Sequence, residues 1–252
     1  MKRVARSLRR CFRRGALVAV ALAGSAACGL ACEKTGFVVA VDVGHEIRRP
    51  GATSARGEIE YRYNRALAGL VVAGLQQAGY ARAFLIDGSG GPMPLGRRPA
   101  IAQQAHASLF LSIHHDSVQP QYLGTWTVEG RSERFSDRFH GFSIFVSTER
   151  PAAAASLRMA RLLGQALRAD GLTPSLHHAE PIAGESRRLL DPADGVYAFD
   201  ELAVLRGATM PAVLLEAGVI VNRDEEAAIR SGSYHRRAVA GVVKAVGEFC
   251  HG

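Results

Sequence analysis

The chain has 252 residues, 48% hydrophobic and 7% aromatic, enough for one sizeable core or at most two small ones and without the aromatic richness of a base- or sugar-stacking surface. Its formal charge of +8 is concentrated: Lys2, Arg3, Arg6, Arg9, Arg10, Arg13 and Arg14 are 7 of the 31 basic residues, and without them 24 face 23 acidic ones. A near-neutral body excludes the broad basic surface of a nucleic-acid binder and ties the charge to targeting.

Residues 1–31 read as an export signal. A positive stretch precedes "GALVAVALAGSAA", 13 residues without a charge, and small residues follow, placing cleavage near 27–31. The apolar run is too short to span a membrane, so no stable span is expected once it is removed. "RRCF" (9–12) fits a twin-arginine route, and the general secretory route stays open. Cys28 in "GSAAC" has Ser25 three positions earlier, where a lipidated cysteine usually has a larger aliphatic residue. The expected location is the periplasm or cell envelope. Cys32 and Cys250 then stand at the two ends of the mature chain, either bridged, as an oxidising compartment permits, or as unrelated thiols.

The body, 32–252, alternates strand and helix. "GFVVAVDVGH" is a short valine-rich run, hence a buried strand. From Glu60 the period changes: Leu67, Leu70, Val71, Gly74, Leu75 and Ala78 fall at helical spacing, ending at Gly79. "ARAFLID" is a second strand closed by the turn "GSGGP", "LGRRPAIAQQAHA" a helix, and "SLFLSIH" a third strand. "GTWTVE" and "GFSIFVS" (strand 142–147) follow, separated by a polar stretch, and "AAAASLRMARLLGQALRADG" is an amphipathic helix between Pro151 and Gly171. Residues 172–206 show little periodicity and read as a functional loop, a lid or insertion. "PAVLLEAGVIV" is a late buried strand, "RDEEAAIRSG" a short helix, and a last helix from about Tyr234 aligns Val239, Val242, Val243, Val246, Phe249 and Cys250. The expected fold is α/β: a single three-layer domain, a mostly parallel twisted sheet with helices on both faces.

The chemistry lies at strand ends. The first strand stops at His45, the third at His114, the late one at Glu216, and Glu60 opens the helix after the first strand. C-terminal strand ends line the ligand crevice of open α/β sheets, so these groups share one rim. Two imidazoles and a carboxylate leaving a fourth position open can hold a catalytic zinc, and a further carboxylate can move protons. Glu46 and Glu58 compete with Glu60 as the ligand carboxylate. A glutamate inside "AVLLEAGVIV" must be paired, coordinated or protonated. No HExxH helix, GxSxG elbow or phosphate loop is present. "LHHAE" (176–180) has the look of a metal cluster but falls in the irregular segment, where a polar loop is the plainer expectation.

Four spaced motifs carry a resemblance. "VDVGH" matches a strand ending in Asp-x-Gly-His, and Glu60 with Asn64 in "EYRYN" matches a helical Glu four residues before Asn. "LSIH" matches Ser-Ile-His, and "MPAVLLEAGVIVNRDEE" matches Met-Pro-x-x-Leu-x-Glu-x-Gly followed by Asn and acids. In this the chain resembles the zinc-dependent N-acetylmuramoyl-L-alanine amidases, the amidase-3 family of bacterial cell-wall hydrolases. The resemblance implies Zn2+ held by His45, Glu60 and His114, Glu216 as catalytic acid/base, and peptidoglycan as substrate. His115 and Asp116 stand where the family usually has a small residue and Asn, and are either partners behind the ligands, substrate contacts or solvated residues. The segment 172–206 exceeds the family's minimal connection, which points to an activator protein acting on it. A zinc peptidase on the same scaffold and a non-catalytic wall-binding regulator are the competing expectations.

Overall fold

The computed structural model describes residues 32–86 and 89–252. Residues 1–31, read from the sequence as an export signal and holding Cys11 and Cys28, lie outside the described residues, as do Asp87 and Gly88. The first half follows the rhythm of the sequence: β1 (Val39–Val43), α1 (Glu60–Gln77), β2 (Phe84–Ile86), α2 (Arg97–Gln104) and β3 (Leu109–Asp116). These are parallel crossovers, β1 pairing with both β2 and β3. Next come β4 (Gly124–Val128), β5 (Arg131–Phe135), β6 (Ser143–Val146), α3 (Ala153–Ala169), β7 (Leu189–Asp191), β8 (Val196–Ala198) and α4 (Ala203–Arg206). The chain then runs through β9 (Ala212–Val219), α5 (Arg223–Ile229) and α6 (Gly232–His251).

The described strands form a seven-stranded sheet in the order β2-β1-β3-β9-β6-β8-β7 and a separate β4-β5 hairpin. β3 and β9 are parallel at the centre, while β9-β6 and β7-β8 are antiparallel. One face carries α1, α3 and α6 over Val41, Leu111, Val213 and Leu215. The other carries α2 and α4 over Ala40, Phe110 and Leu214. Alternation along β9 therefore aims Val213, Leu215 and Ala217 at one helical layer and puts Ala212, Leu214 and Glu216 on the opposite face. The three-layer, mostly parallel expectation holds.

One expectation is refined and one needs correction. "GTWTVE" forms a strand, but it pairs with β5 in a hairpin off the main sheet, seated by the Trp126 Nε1–H bond to the Ala55 carbonyl at 2.6 Å. Residues 172–206 are not a structureless loop. They hold β7, β8, α4 and a 3-10 turn (His177–Ala179), and β8 pairs in parallel with β6. Three-residue strands are too short to display a period, which is why the sequence does not reveal them.

Two further contacts tie distant parts of the chain together. Glu226 of α5, fully buried, accepts from Ser54 Oγ at 2.8 Å, Tyr63 Oη at 2.7 Å and Arg56 Nη1 at 2.7 Å. It thereby ties the loop before α1 to the body. Cys32 and Cys250 form a disulfide with Cα atoms 5.3 Å apart, joining the first described residues to the end of α6.

Candidate active site

His45 follows β1 by two residues and sits at φ 66°, a left-handed conformation uncommon for a residue with a side chain. It is held there by the Gly44 N–H bond to the Ile113 carbonyl at 2.9 Å and by Arg98. The Arg98 guanidinium donates to the His45 carbonyl at 2.6 Å, to the Val43 carbonyl and to Asp42 Oδ1 at 2.8 Å. Ser112 Oγ donates to the other oxygen of Asp42 at 2.7 Å. The Asp42 of "VDVGH" is thus a buried anchor for the turn that presents His45.

Glu60 is the first residue of α1 and is buried. His45 Nε2 lies 3.1 Å from its Oε2, and His114 Nδ1 lies 3.2 Å from its Oε1. The Ala52 N–H and Asn64 Nδ2 donate to the same carboxylate at 2.9 and 3.0 Å. One ligand atom from each of His45, Glu60 and His114 falls within 4.8 Å of the others. Burial alone would raise the Glu60 pKa, yet hydrogen bonds from His114 and His45, with their charges, carry it well below the usual carboxylate range. Burial lowers the His45 pKa, but the Glu60 bond and charge outweigh it, and the net shift is upward. Gly44 and Gly51 leave the space: a Cβ on Gly44 would strike the His114 ring, and one on Gly51 would strike Glu60 and His45.

The rival carboxylates are engaged elsewhere. Glu46 accepts the Met93 N–H at 2.7 Å, and Glu58 pairs with Arg62 at 2.9 Å. His115 is neither solvated nor open to a substrate: it is buried behind Glu60, with Nδ1 2.8 Å from Asn64 Oδ1. Burial pushes its pKa down to about 3.

Glu216 is the direct register partner of His114 across the β3-β9 pair. Adjacent strands lie about 4.8 Å apart, so register partners on one face present their side chains side by side. Its Oε2 is buried and makes no hydrogen bond. Burial, reinforced by the charges of Asp116 and Glu60, raises its pKa well above the usual range. A cavity of about 260 Å³ opens beside it, lined by Gln119, His178, Glu185 and Arg187 among others.

The segment holding "LHHAE" is not a solvated loop. His177 and His178 are buried, and both direct Nε2 at Asp116 Oδ2, at 3.4 and 2.7 Å. This grouping joins residues 62 apart in sequence, beyond the reach of any periodicity. The adjacent histidines and an aspartate two residues after His114 were its only signal. Arg98 is likewise invisible in the sequence, since a helical arginine carries no mark of the pair it makes with Asp42.

The family described as Amidase_3, N-acetylmuramoyl-L-alanine amidase, matches residues 39–248. A probable N-acetylmuramoyl-L-alanine amidase, AmiB, of Haemophilus influenzae is 26% identical over 219 residues, which cover 80% of this chain and 49% of the relative. The chain thus spans about half the length of that curated relative. The structure of Ami1 from Mycobacterium smegmatis superposes with a TM-score of 0.66 at 20% identity, covering 86% of this chain and 97% of the other. The catalytic domain of CwlV from Bacillus (Paenibacillus) polymyxa gives 0.62 at 24% identity, covering 84% and 97%. At such identities the superpositions establish a shared fold.

Proposed function

The chain belongs to the N-acetylmuramoyl-L-alanine amidase family, and from that premise we propose that it hydrolyses the amide between N-acetylmuramic acid and L-alanine in peptidoglycan, in cell-wall remodelling or cell separation. The observation that carries the reading is the meeting of His45, Glu60 and His114 around one point, with Glu216 beside His114 and its Oε2 unpartnered. The donor set of two imidazoles and one carboxylate fits zinc, and the glycine cradle at Gly44 and Gly51 fits a group placed among them. Bound there, zinc would supply Lewis acidity toward the scissile carbonyl and lower the pKa of the attacking water.

The remaining work falls to the chain. Asn64 and the Ala52 N–H hold the Glu60 carboxylate in place while Arg98 holds the His45 backbone. Glu216 takes the water's proton on its free oxygen and returns it to the alanine nitrogen as the amide breaks, a role for which a carboxyl with a raised pKa is suited. The cavity beside Glu216 provides room for the substrate next to the proton carrier.

Export to the periplasm or envelope is part of the same reading. The basic, then apolar, residues 1–31 support it, as does the Cys32–Cys250 disulfide, a bond of oxidising compartments. Among the described residues no helix is long and apolar enough to cross a membrane. An activator protein acting on 172–206 also belongs to the reading, confined to residues 180–188 between the 3-10 turn and β7, which stand outside the sheet.

The test is digestion of purified peptidoglycan by the exported protein, with and without a chelator, beside Glu216→Ala. Stem peptides with a free N-terminal L-alanine are expected from the wild type alone. The variant should lose about 10²- to 10⁴-fold in rate while keeping its zinc. Cleavage that survives chelation, or survives loss of Glu216, would overturn the mechanism.

A further inference from the structure

We propose that Asp116, His177 and His178 form a second divalent-cation site, of the zinc class, that fastens the 175–188 segment to the end of β3. The three side chains are buried, and their ligand atoms fall within 4.8 Å of one another. They share no residue with the His45, Glu60 and His114 group, although Asp116 and His178 line the cavity beside Glu216.

The orientation of the rings is the first argument. His177 Nδ1 lies 2.8 Å from Ser175 Oγ, and His178 Nδ1 lies 2.8 Å from Glu185 Oε2. Metal-binding imidazoles characteristically give one ring nitrogen to an oxygen partner and direct the other at the ion. Both Nε2 atoms here turn inward to a single oxygen, Asp116 Oδ2.

The second argument is an unmade bond. His177 is 3% exposed, and its Nε2 makes no hydrogen bond although Asp116 Oδ2 is 3.4 Å away. A buried polar nitrogen without a partner is costly, and a cation between it and the carboxylate would satisfy both. Ligands about 2.0–2.2 Å from a tetrahedral ion stand about 3.3 Å from each other. The His177–Asp116 spacing already meets that value. The His178–Asp116 spacing of 2.7 Å must open by roughly half an ångström, a small movement for a residue on a 3-10 turn.

The donor set decides the class of ion. Two imidazoles with one carboxylate select zinc or a neighbouring first-row metal over magnesium or calcium, which prefer oxygen throughout. The cavity on the Glu185 and Glu216 side admits water to complete the coordination. The ion would link the His177–Ala179 turn to β3, with its water position turned toward the cavity.

Zinc content resolves the question. The purified exported protein, loaded with Zn2+ and freed of excess, should hold two ions per chain. His114→Ala should retain one, His177→Ala and Asp116→Asn one each, and the double variant His114→Ala/His177→Ala none. On the His114→Ala background, adding Zn2+ should slow amide exchange across residues 176–188 by roughly tenfold, a readout that needs no change at the site itself. A wild type holding one ion, with none left in His114→Ala, overturns the second site and leaves the first standing. One ion that survives His114→Ala but not His177→Ala overturns the first and leaves the second. Unchanged exchange across 176–188 on zinc addition overturns the fastening role.

Discussion

Arg98 shows how much of the site is decided by residues that never touch a substrate. Its guanidinium is buried against a fully buried Asp42, and the same group holds the carbonyls of Val43 and His45. Breaking a buried pair by removing one partner leaves a stranded charge and costs about 3–5 kcal/mol. Arg98→Met should therefore lower unfolding free energy by about that amount in chemical denaturation. Adding Asp42→Asn removes the stranded charge and should restore most of the stability. It cannot restore the anchor on His45, so zinc affinity in the double variant should stay about 10- to 100-fold low, the usual cost of losing a supporting partner. Recovery of both together would show that Arg98 only balances charge. The residues that could be read from sequence are ionisable groups set in or just beyond buried runs. His45 follows β1, while His114 and Glu216 lie inside β3 and β9, which run on to Asp116 and Val219 where the sequence suggests strand ends at His114 and Glu216. The role of Arg98, the burial of His115 and the joining of Asp116 to the histidine pair were not legible, since they come from contacts across elements. His115 sits in the same "SIHHD" as His114, yet pleating turns it to the other face, toward Asn64.

Elements differ in how openly they declare themselves. The long helices α1, α3 and α6 carry an apolar stripe over 17 to 20 residues, and β1, β3 and β9 are buried runs; these six carry the fold and were legible. β7 and β8 hold three residues each, and β5 reads "RSERF", whose charges mark an exposed hairpin arm instead of a core strand. Short α5 has a different importance, through Glu225. That side chain accepts the Gly141 N–H at 2.8 Å and the Val219 N–H at 2.8 Å, bridging β9 to the approach of β6. Burial nonetheless pushes its pKa up to about 7 from 4.5, the two backbone bonds only partly opposing it. The folded state then holds a proton that the unfolded state has released between about pH 4.5 and 7. This contribution to stability is complete below 4.5 and is lost as pH rises through 7. The loss amounts to about 3 kcal/mol at 1.36 kcal/mol per pH unit. Glu225→Gln cannot ionise, so the stability difference between wild type and variant should drift by about that amount from pH 4.5 to 8 in parallel urea titrations. Parallel stability curves would mean that folding leaves the Glu225 pKa unshifted.

Across the whole molecule, the charge and the disulfide tell one story. The body is near neutral, the excess of basic residues lies in 1–31, and the cysteines outside that segment are joined, Cys32 to Cys250, across 218 residues of chain. A crosslink stabilises chiefly by removing freedom from the unfolded chain, and it removes more when the enclosed loop is long. Here the loop contains nearly all of the described residues, so the bond limits how far the entire unfolded body can expand. Cys32→Ser/Cys250→Ser should therefore cost about 2–5 kcal/mol, read as an earlier denaturation midpoint, with the central sheet unchanged in spectrum. The oxidised wild type should match its reduced form in zinc content, because neither cysteine adjoins the rim where His45, Glu60 and His114 meet. If oxidised and reduced protein unfold at the same midpoint, the bridge restrains nothing and its support for an oxidising destination is withdrawn. If the reduced protein unfolds earlier, the chain reaches full stability only where thiols oxidise, which is the physical condition that export would supply.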